Sequence, residues 1–433
     1  MFETSHRRDF LKTGAAAVLA AGASGQAAEA PSQPLRVGVI GVGNRGTHLL
    51  RLMLAHGVEV PALGDIREAH FQRAAEIVAE ARQGHRPEGY TRGPTDYRRM
   101  LQRDDLDAVV VATPMQWHGV MSIDALRAGK HVLSEVAAAM TLDECWGLVR
   151  AARETGKLYM LSENCCYWDP VMTILNMVRR GVFGQLTYAE CGYVHDCRRL
   201  NFAADGSLTW RGELARDYRG NLYPTHSLGP VAQWLGINRG DRLESLVAME
   251  TRQAGLAHWI RNHFPDDHPA RRQRFRVADS TTVLIRTARG VLIDLRYDTI
   301  SSRPHPSTVY YHLQGTRASY ESRLDSIWIE GRSPSYRWEP VSKYAPEFEH
   351  PMWTEFRQQA QGSGHGGGDF MVTKAFLDAV RAGGPSPIDA CDAAAWSSII
   401  PLSAKSLAEG STVQLIPDFT EGAWEKEGHH PQA

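Results

Sequence analysis

The feature that most constrains this chain is Gly41-Val42-Gly43-Asn44-Arg45-Gly46, placed directly after a short apolar run at residues 35–40 and before a helical stretch at 47–55. Strand, glycine turn and helix form the context in which G-x-G-x-x-G carries meaning. Gly41 makes the turn, Gly43 admits a pyrophosphate to the backbone, and Gly46 lets helix pack on strand. The phosphates then sit against free N–H groups of the helix start. A nucleotide-binding α/β unit is the first expectation.

The following residues extend it. Residues 58–63 read as a second strand, and Asp65 lies 19 residues past Gly46. A carboxylate at that spacing accepts the ribose hydroxyls of NAD and repels the extra phosphate of NADP, so NAD is the expected cofactor. Asp65 also suits a cap for the helix after it, and Arg67 reads as a solvated helix-start residue. Residues 106–113 are almost continuously apolar, as in a strand covered on both faces. They end at Met115-Gln116-Trp117-His118, and ligands collect outside the carboxyl ends of parallel strands, which makes Trp117 and His118 site candidates. A strand at 131–134 leads to Glu135. Thr141-Leu142-Asp143-Glu144 is a capping box opening a helix to about Glu154, and a strand at 158–162 leads to Glu163-Asn164. This alternation predicts a doubly wound, Rossmann-type parallel sheet over residues 31–164.

After Asn164 the pattern changes. A helix at 171–180 and β-like runs at 185–193, 246–250, 281–286, 291–297 and 308–314 predict an α+β domain over 165–415, with an open, largely antiparallel sheet. A glycine-rich loop at 362–368 precedes a helical stretch at 370–382. Residues 416–433 read as a polar tail forming a surface arm.

Composition narrows the function classes. Of 433 residues, 48 are Lys or Arg and 49 Asp or Glu, so no long-range field attracts nucleic acid. No apolar run reaches the roughly 18 residues of a spanning helix. Six cysteines at irregular spacing make neither a disulfide framework nor a zinc pattern, and no metal is expected. The chain opens Ser5-His6-Arg7-Arg8-Asp9-Phe10-Leu11-Lys12, then a small apolar run at 14–22 and Ala28-Glu29-Ala30. This is the form of a removable export signal over residues 1–30, and the paired arginines resemble the twin-arginine type. A periplasmic or exported protein, folded and loaded with its cofactor before export, is expected, with the twin-arginine machinery as a partner.

The two-domain plan, with Glu135 closing the first unit, resembles the Gfo/Idh/MocA oxidoreductases. Those usually carry Glu-Lys-Pro where this chain has Glu135-Val136-Ala137, and no lysine occurs between Lys157 and Lys343. An NAD-dependent sugar dehydrogenase of that type is the alternative reading, and a non-catalytic sugar binder a third. A closer similarity lies in Ser162-Glu163-Asn164-Cys165-Cys166-Tyr167, Gly192-Tyr193-Val194-His195-Asp196, Gly220-Asn221-Leu222-Tyr223-Pro224-Thr225-His226, Asn238-Arg239-Gly240-Asp241-Arg242 and Gly364-His365-Gly366-Gly367-Gly368-Asp369. These runs resemble glycoside hydrolase family 109, over most of residues 36–415.

That resemblance implies an NAD-dependent glycosidase, typically an α-N-acetylgalactosaminidase, acting on a glycan or glycoconjugate; a homo-oligomer is left open. Its route is oxidation at sugar C3, loss of the C2 proton with departure of the C1 substituent, water addition and re-reduction, with NAD tightly bound and recycled. No pair of carboxylates flanking C1 is needed. Carried over by position, Gly41, Gly43, Asn44, Arg45, Gly46, Asp65, Met115, Gln116, Trp117, His118, Glu135, Val136 and Asn164 would contact NAD. Glu163, Tyr193, Arg211, Tyr223 and His226 would face the sugar. His226 is the preferred base for the C3 hydroxyl, because imidazole titrates near neutrality. Tyr193 would handle the C2 proton or the leaving oxygen, Glu163 would orient or relay, and Arg211 would clamp an acetamido or hydroxyl oxygen. His195 and Asp196 would hold structure around the site. Where the family usually has Pro-Arg-Pro-Tyr, this chain has Ser302-Arg303-Pro304-His305, which puts N-acetylgalactosamine specificity in question.

Overall fold

The computed structural model describes residues 34–304 and 309–426; residues 1–30, read above as an export signal, and His305 lie outside them. Six strands, β1 (Val37–Ile40), β2 (Ala62–Gly64), β3 (Glu88–Tyr90), β4 (Ala108–Val111), β5 (His131–Ser134) and β6 (Tyr159–Leu161), form one sheet in the order β3-β2-β1-β4-β5-β6. Every pairing in it is parallel. β1 and β4 are buried along their whole length, which is why they read as unbroken apolar runs. The order reverses between β1 and β4, and the crevice outside their carboxyl ends is where such sheets bind ligands.

The first helix begins at Asn44, inside the glycine motif, and not at residue 47. β2 is shorter than expected because Pro61 has no N–H to donate; Glu59 makes only an isolated bridge to Arg36. The capping box forms as the sequence indicates, with the Thr141 side chain accepting from the Glu144 N–H ahead of helix Leu142–Thr155.

The second sheet has nine strands: β7 (Leu186–Val194), β8 (Leu243–Glu250), β9 (Thr281–Thr287), β10 (Leu292–Asp298), β11 (Val309–Gly315), β12 (Ala318–Glu321), β13 (Ser326–Ile329), β14 (Glu339–Pro340) and β15 (Gln414–Leu415). Their order is β14-β13-β12-β11-β7-β10-β9-β8-β15, antiparallel throughout except for the central β7–β10 pair. β9 alternates buried and exposed residues, so one face meets the core and the other is open. Val283, Ile285, Ile293 and Leu295 line the covered face and join Val37, Val109 and Leu133 in one hydrophobic core. A smaller core gathers Met115, Met140, Phe202, Leu214, Leu256 and Tyr297, and partly buried Tyr193 and Tyr223 pack against it.

The tail is not a polar surface arm as far as residue 426. Ile416 and Phe419 are buried, the Phe419 ring lies 4.8 Å from Trp146, and Arg153 donates to the Phe419 carbonyl at 2.8 Å. Ile416 and Phe419 dock an otherwise polar segment, and Trp424 adds a ring beneath Arg242 and Arg289. No helix among the described residues is long and apolar enough to cross a membrane.

Candidate active site

The cofactor side is built on the first glycine turn. Gly41 has φ +85°, and a Cβ there would lie 2.8 Å from the Ala112 backbone; at Gly46 it would lie 1.8 Å from the Gly41 carbonyl oxygen. Only glycine fits either position. At Gly43 the nearest atom to an added Cβ is 3.9 Å away, so the backbone is open to an approaching ligand. No side chain caps the helix that starts at Asn44, which leaves its first-turn N–H groups for an anion. Asp65 follows β2 and accepts from the Val42 N–H at 2.9 Å, which ties it to the glycine turn; its other oxygen accepts from the Arg67 N–H at 2.9 Å. That contact holds the turn and not the helix, since the N-cap of helix Glu68–Ala81 is Arg67 and no side chain caps it, and lone pairs of Asp65 remain for a ribose. These features fit an NAD dinucleotide.

The residues after β4 divide. Trp117 is 44% exposed at the crevice edge, Met115 is buried in the smaller core, and the Gln116 Oε1 is buried without a partner. His118 corrects the sequence reading: it is 2% exposed, and its two ring nitrogens lie 2.7 Å from the Thr113 carbonyl and 2.8 Å from the Ala137 carbonyl. It braces the loops after β4 and β5 and has no nitrogen left for a cofactor. Val136, in the place of the superfamily lysine, is buried among apolar neighbours, and its side chain offers no polar contact.

Arg45 is not a free phosphate ligand. Its Nε donates to Glu135 at 2.6 Å, and Nη1 and Nη2 make a bidentate pair with Asp369 at 2.8 Å each. Asn164 donates to the same carboxylate at 2.7 Å, and His48 and His365 lie on it at 2.9 and 2.7 Å. Burial pushes the Asp369 carboxyl up, but the hydrogen bonds from His365, His48 and Arg45, with the arginine charge, outweigh that and hold it well below the usual carboxylate range.

On the substrate side, Glu163 closes β6 and His226 stands in the first turn of helix Thr225–Trp234, so each sheet's domain supplies one half of a pair. His226 Nδ1 lies 2.7 Å from Glu163 Oε1, which also accepts the Cys165 N–H at 3.1 Å. Glu163 Oε2 is buried with no partner. Burial opposes charging of His226, but the Glu163 carboxylate, by charge and hydrogen bond, lifts the imidazole above its ordinary value. Tyr193, on β7, and Tyr223 surround it, with ring centroids 5.6 and 5.0 Å from the imidazole and 5.1 Å from each other. Burial pushes both phenols up, so each stays a donor at neutral pH. Arg211 is exposed, lies over the Trp210 ring at 4.1 Å, and its charge acts on the Tyr193, Tyr223 and Tyr297 phenols. Arg198 pairs with Asp196 at 2.7 Å, the His195 main-chain N–H donates to the Asp298 carbonyl at 2.9 Å, and the His195 ring lies edge-on to Tyr193 with centroids 5.9 Å apart.

Sequence reasoning missed three participants. Asp369 was visible only as the last residue of the Gly364–Asp369 run. Tyr311 donates to the His226 carbonyl at 2.7 Å, and Tyr297 lies beside Arg211's field; both sit in ordinary strand patterns that carry no signal. Glu163, Cys165 and His226 come close enough to share a metal ion, with ligand atoms within 4.8 Å. However, burial raises the Cys165 thiol well above its ordinary value, and the carboxylate already accepts two hydrogen bonds, so the set suits proton handling better.

Residues 35–163 match the family model described as an oxidoreductase family NAD-binding Rossmann fold, and residues 167–426 match the glycosyl hydrolase 109 C-terminal domain. A glycosyl hydrolase family 109 protein of Stenotrophomonas maltophilia is 37% identical, over 97% of this chain and 96% of its own length. An alpha-N-acetylgalactosaminidase of Tannerella forsythia is 34% identical, over 96% and 97%. Among solved structures, a levoglucosan dehydrogenase in complex with NADH superposes with a TM-score of 0.68 at 19% identity, over 89% of this chain and all of that one. At that identity the likeness is one of fold.

Proposed function

Since the chain belongs to glycosyl hydrolase family 109 and carries an NAD-binding Rossmann domain, we propose that this glycoside hydrolase releases a terminal N-acetylhexosamine, α-N-acetylgalactosamine first among candidates, with NAD kept bound and recycled. The Glu163–His226 pair beside two neutral phenols carries the reading. When bound, NAD supplies a reversible oxidation at sugar C3, which acidifies the C2 hydrogen and opens an elimination–addition path to the C1 bond. Relatives named alpha-N-acetylgalactosaminidase support the sugar, and the leader read at residues 1–30 supports export of the folded, loaded protein.

The residues divide the proton work. Glu163 fixes the proton of His226 on Nδ1, which leaves Nε2 as the acceptor for the C3 hydroxyl proton. Burial keeps the Tyr193 phenol protonated, so it enters the reaction as a hydrogen-bond donor to the leaving oxygen, and the C2 proton passes to the Glu163–His226 pair, whose unpartnered Glu163 Oε2 is the open acceptor. Tyr223 packs against both and closes the site to water. Arg211, with no carboxylate partner among the described residues, suits a neutral acetamido or hydroxyl oxygen. The test is turnover of chromogenic α- and β-N-acetylhexosaminides with the cofactor followed in parallel. Continuous aglycone release without NADH accumulation is expected. Stoichiometric NADH with no aglycone would replace this reading with a dehydrogenase.

A further inference from the structure

We propose that Asp369 is a positioning residue for the cofactor, acting through Arg45 and Asn164; this rests on the NAD reading above. The sheet order makes the argument. Arg45 follows β1, Glu135 follows β5 and Asn164 follows β6, while β4 lies between β1 and β5. A side chain that joins Arg45 to Glu135 at 2.6 Å therefore crosses the carboxyl end of β4, beside the point where the strand order reverses. That crevice is where a dinucleotide lies in a sheet of this order.

Among the described residues it is Asp369, from helix Gly368–Ala382 of the other domain, that fixes the far end of the guanidinium. The bidentate geometry sets the plane of Arg45 as well as its distance. Three of its five N–H donors are spent, and 27% of the side chain remains accessible, so the group can still meet a ligand. Asn164 is fixed by the same carboxylate, on the Oδ1 that Arg45 Nη2 also uses. The loop glycines make room for this: a Cβ on Gly364 would lie 2.9 Å from the His48 ring, and one on Gly368 would lie 2.4 Å from the Asn164 carbonyl oxygen. A carboxylate that merely joined two domains would need one of these partners. This one orients two polar side chains that flank the crevice, Arg45 and Asn164.

The test is Asp369→Asn in the full chain. The amide keeps an acceptor for Arg45 Nη2 and Asn164, and its NH₂ can donate to His48 and His365 in their other tautomers, so the fold has a way to survive. Bound NAD is removed, and NAD⁺ is titrated back onto protein shown to be folded by circular dichroism. Loss of a charge-assisted pair predicts NAD binding weaker by about ten- to a hundredfold. The KM for the glycoside should stay unchanged, and excess NAD⁺ should restore turnover, which would not repair a misfolded protein. Folded Asp369→Asn with wild-type NAD affinity overturns the proposal. If that variant does not fold, Arg45→Met decides: loosened NAD supports the proposal, and wild-type affinity overturns it. Wild-type protein that binds no NAD would instead sink the cofactor reading itself, and the proposal with it.

Discussion

Glu163 and Asp369 are both fully buried carboxylates at the meeting of the two domains, and they are satisfied in opposite ways. Asp369 takes hydrogen bonds from four side chains, one of them a bidentate arginine. Glu163 takes two, both on Oε1, and leaves Oε2 without a partner. A saturated carboxylate is locked in charge and direction. A half-satisfied one beside an imidazole is expensive to keep in a merely structural role, since a buried polar atom without a partner costs about 1–3 kcal/mol. That contrast supports the proposed roles, position for Asp369 and proton handling for Glu163.

The largest effect is expected at His226. General base catalysis contributes roughly 10²–10⁴-fold, about 3–5 kcal/mol in the barrier. His226→Ala should lose turnover on that scale while NAD stays bound, because the glycine turn and Asp65 lie in the other domain. Turnover and bound NAD measured on one preparation check both statements. Near-normal turnover would remove His226 from the mechanism, and lost NAD would make it a structural residue.

Glu163→Gln should come next, with turnover reduced by roughly 10–100-fold, the scale of one hydrogen bond to a charged group at about 1.5–3 kcal/mol. NAD affinity should not change, in contrast to Asp369→Asn. If the two substitutions had the same effect on NAD affinity, the division between the carboxylates would fail.

How far the sequence carried this division is uneven. The first sheet was legible because each strand is short, apolar and followed by local punctuation: the glycine turn, Asp65, Glu135, and the Thr141–Glu144 capping box that forms as read. The substrate pair was legible only through the family resemblance, because Glu163 and His226 are 63 residues apart and nothing local joins them. His118 misled for a physical reason: its place at a strand edge promises exposure, and only the loops packing above it reveal two backbone carbonyls on its ring. Asp369 lies 324 residues from Arg45, and no spacing rule reaches that far. Phe419 was hidden by its polar neighbours.

The two carboxylates also differ, on a smaller scale, in what they do to the pH dependence. The His226 imidazole is raised above its ordinary 6.5 by Glu163, against the opposing effect of burial. A base must be neutral, so kcat should rise with pH through a value above 6.5. The same shift contributes stability that is present below pH 6.5 and lost as pH climbs through the raised value. Activity and this stability contribution thus move in opposite directions over one window. In Glu163→Gln burial and the Arg45 charge are opposed only by the Glu135 charge, and the acid limb should move to lower pH. A limb that stays in place would show that another group titrates there. Asp369, held well below the usual carboxylate range, should add no limb near neutrality.

The smallest expected effect belongs to Tyr193, and it decides which proton the phenol handles. Burial keeps that phenol protonated, with Arg211 only partly opposing it. A group that stays protonated donates, and the atom that gains most from a donor is the departing glycosidic oxygen. The gain depends on the aglycone: an alkoxide needs the proton, whereas a nitrophenolate leaves nearly as well without it. Tyr193→Phe should therefore cost about tenfold on alkyl N-acetylhexosaminides, the scale of a neutral hydrogen bond at the upper end of ~0.5–1.5 kcal/mol, and little on nitrophenyl ones. The ring stays, so its packing on Tyr223 and His226 is retained. An equal loss on both aglycones would move Tyr193 to the C2 hydrogen, because that step precedes or accompanies departure whatever the leaving group. The same variant assayed in heavy water then separates the cases, since a C2 role would also slow deuterium exchange into the sugar at C2.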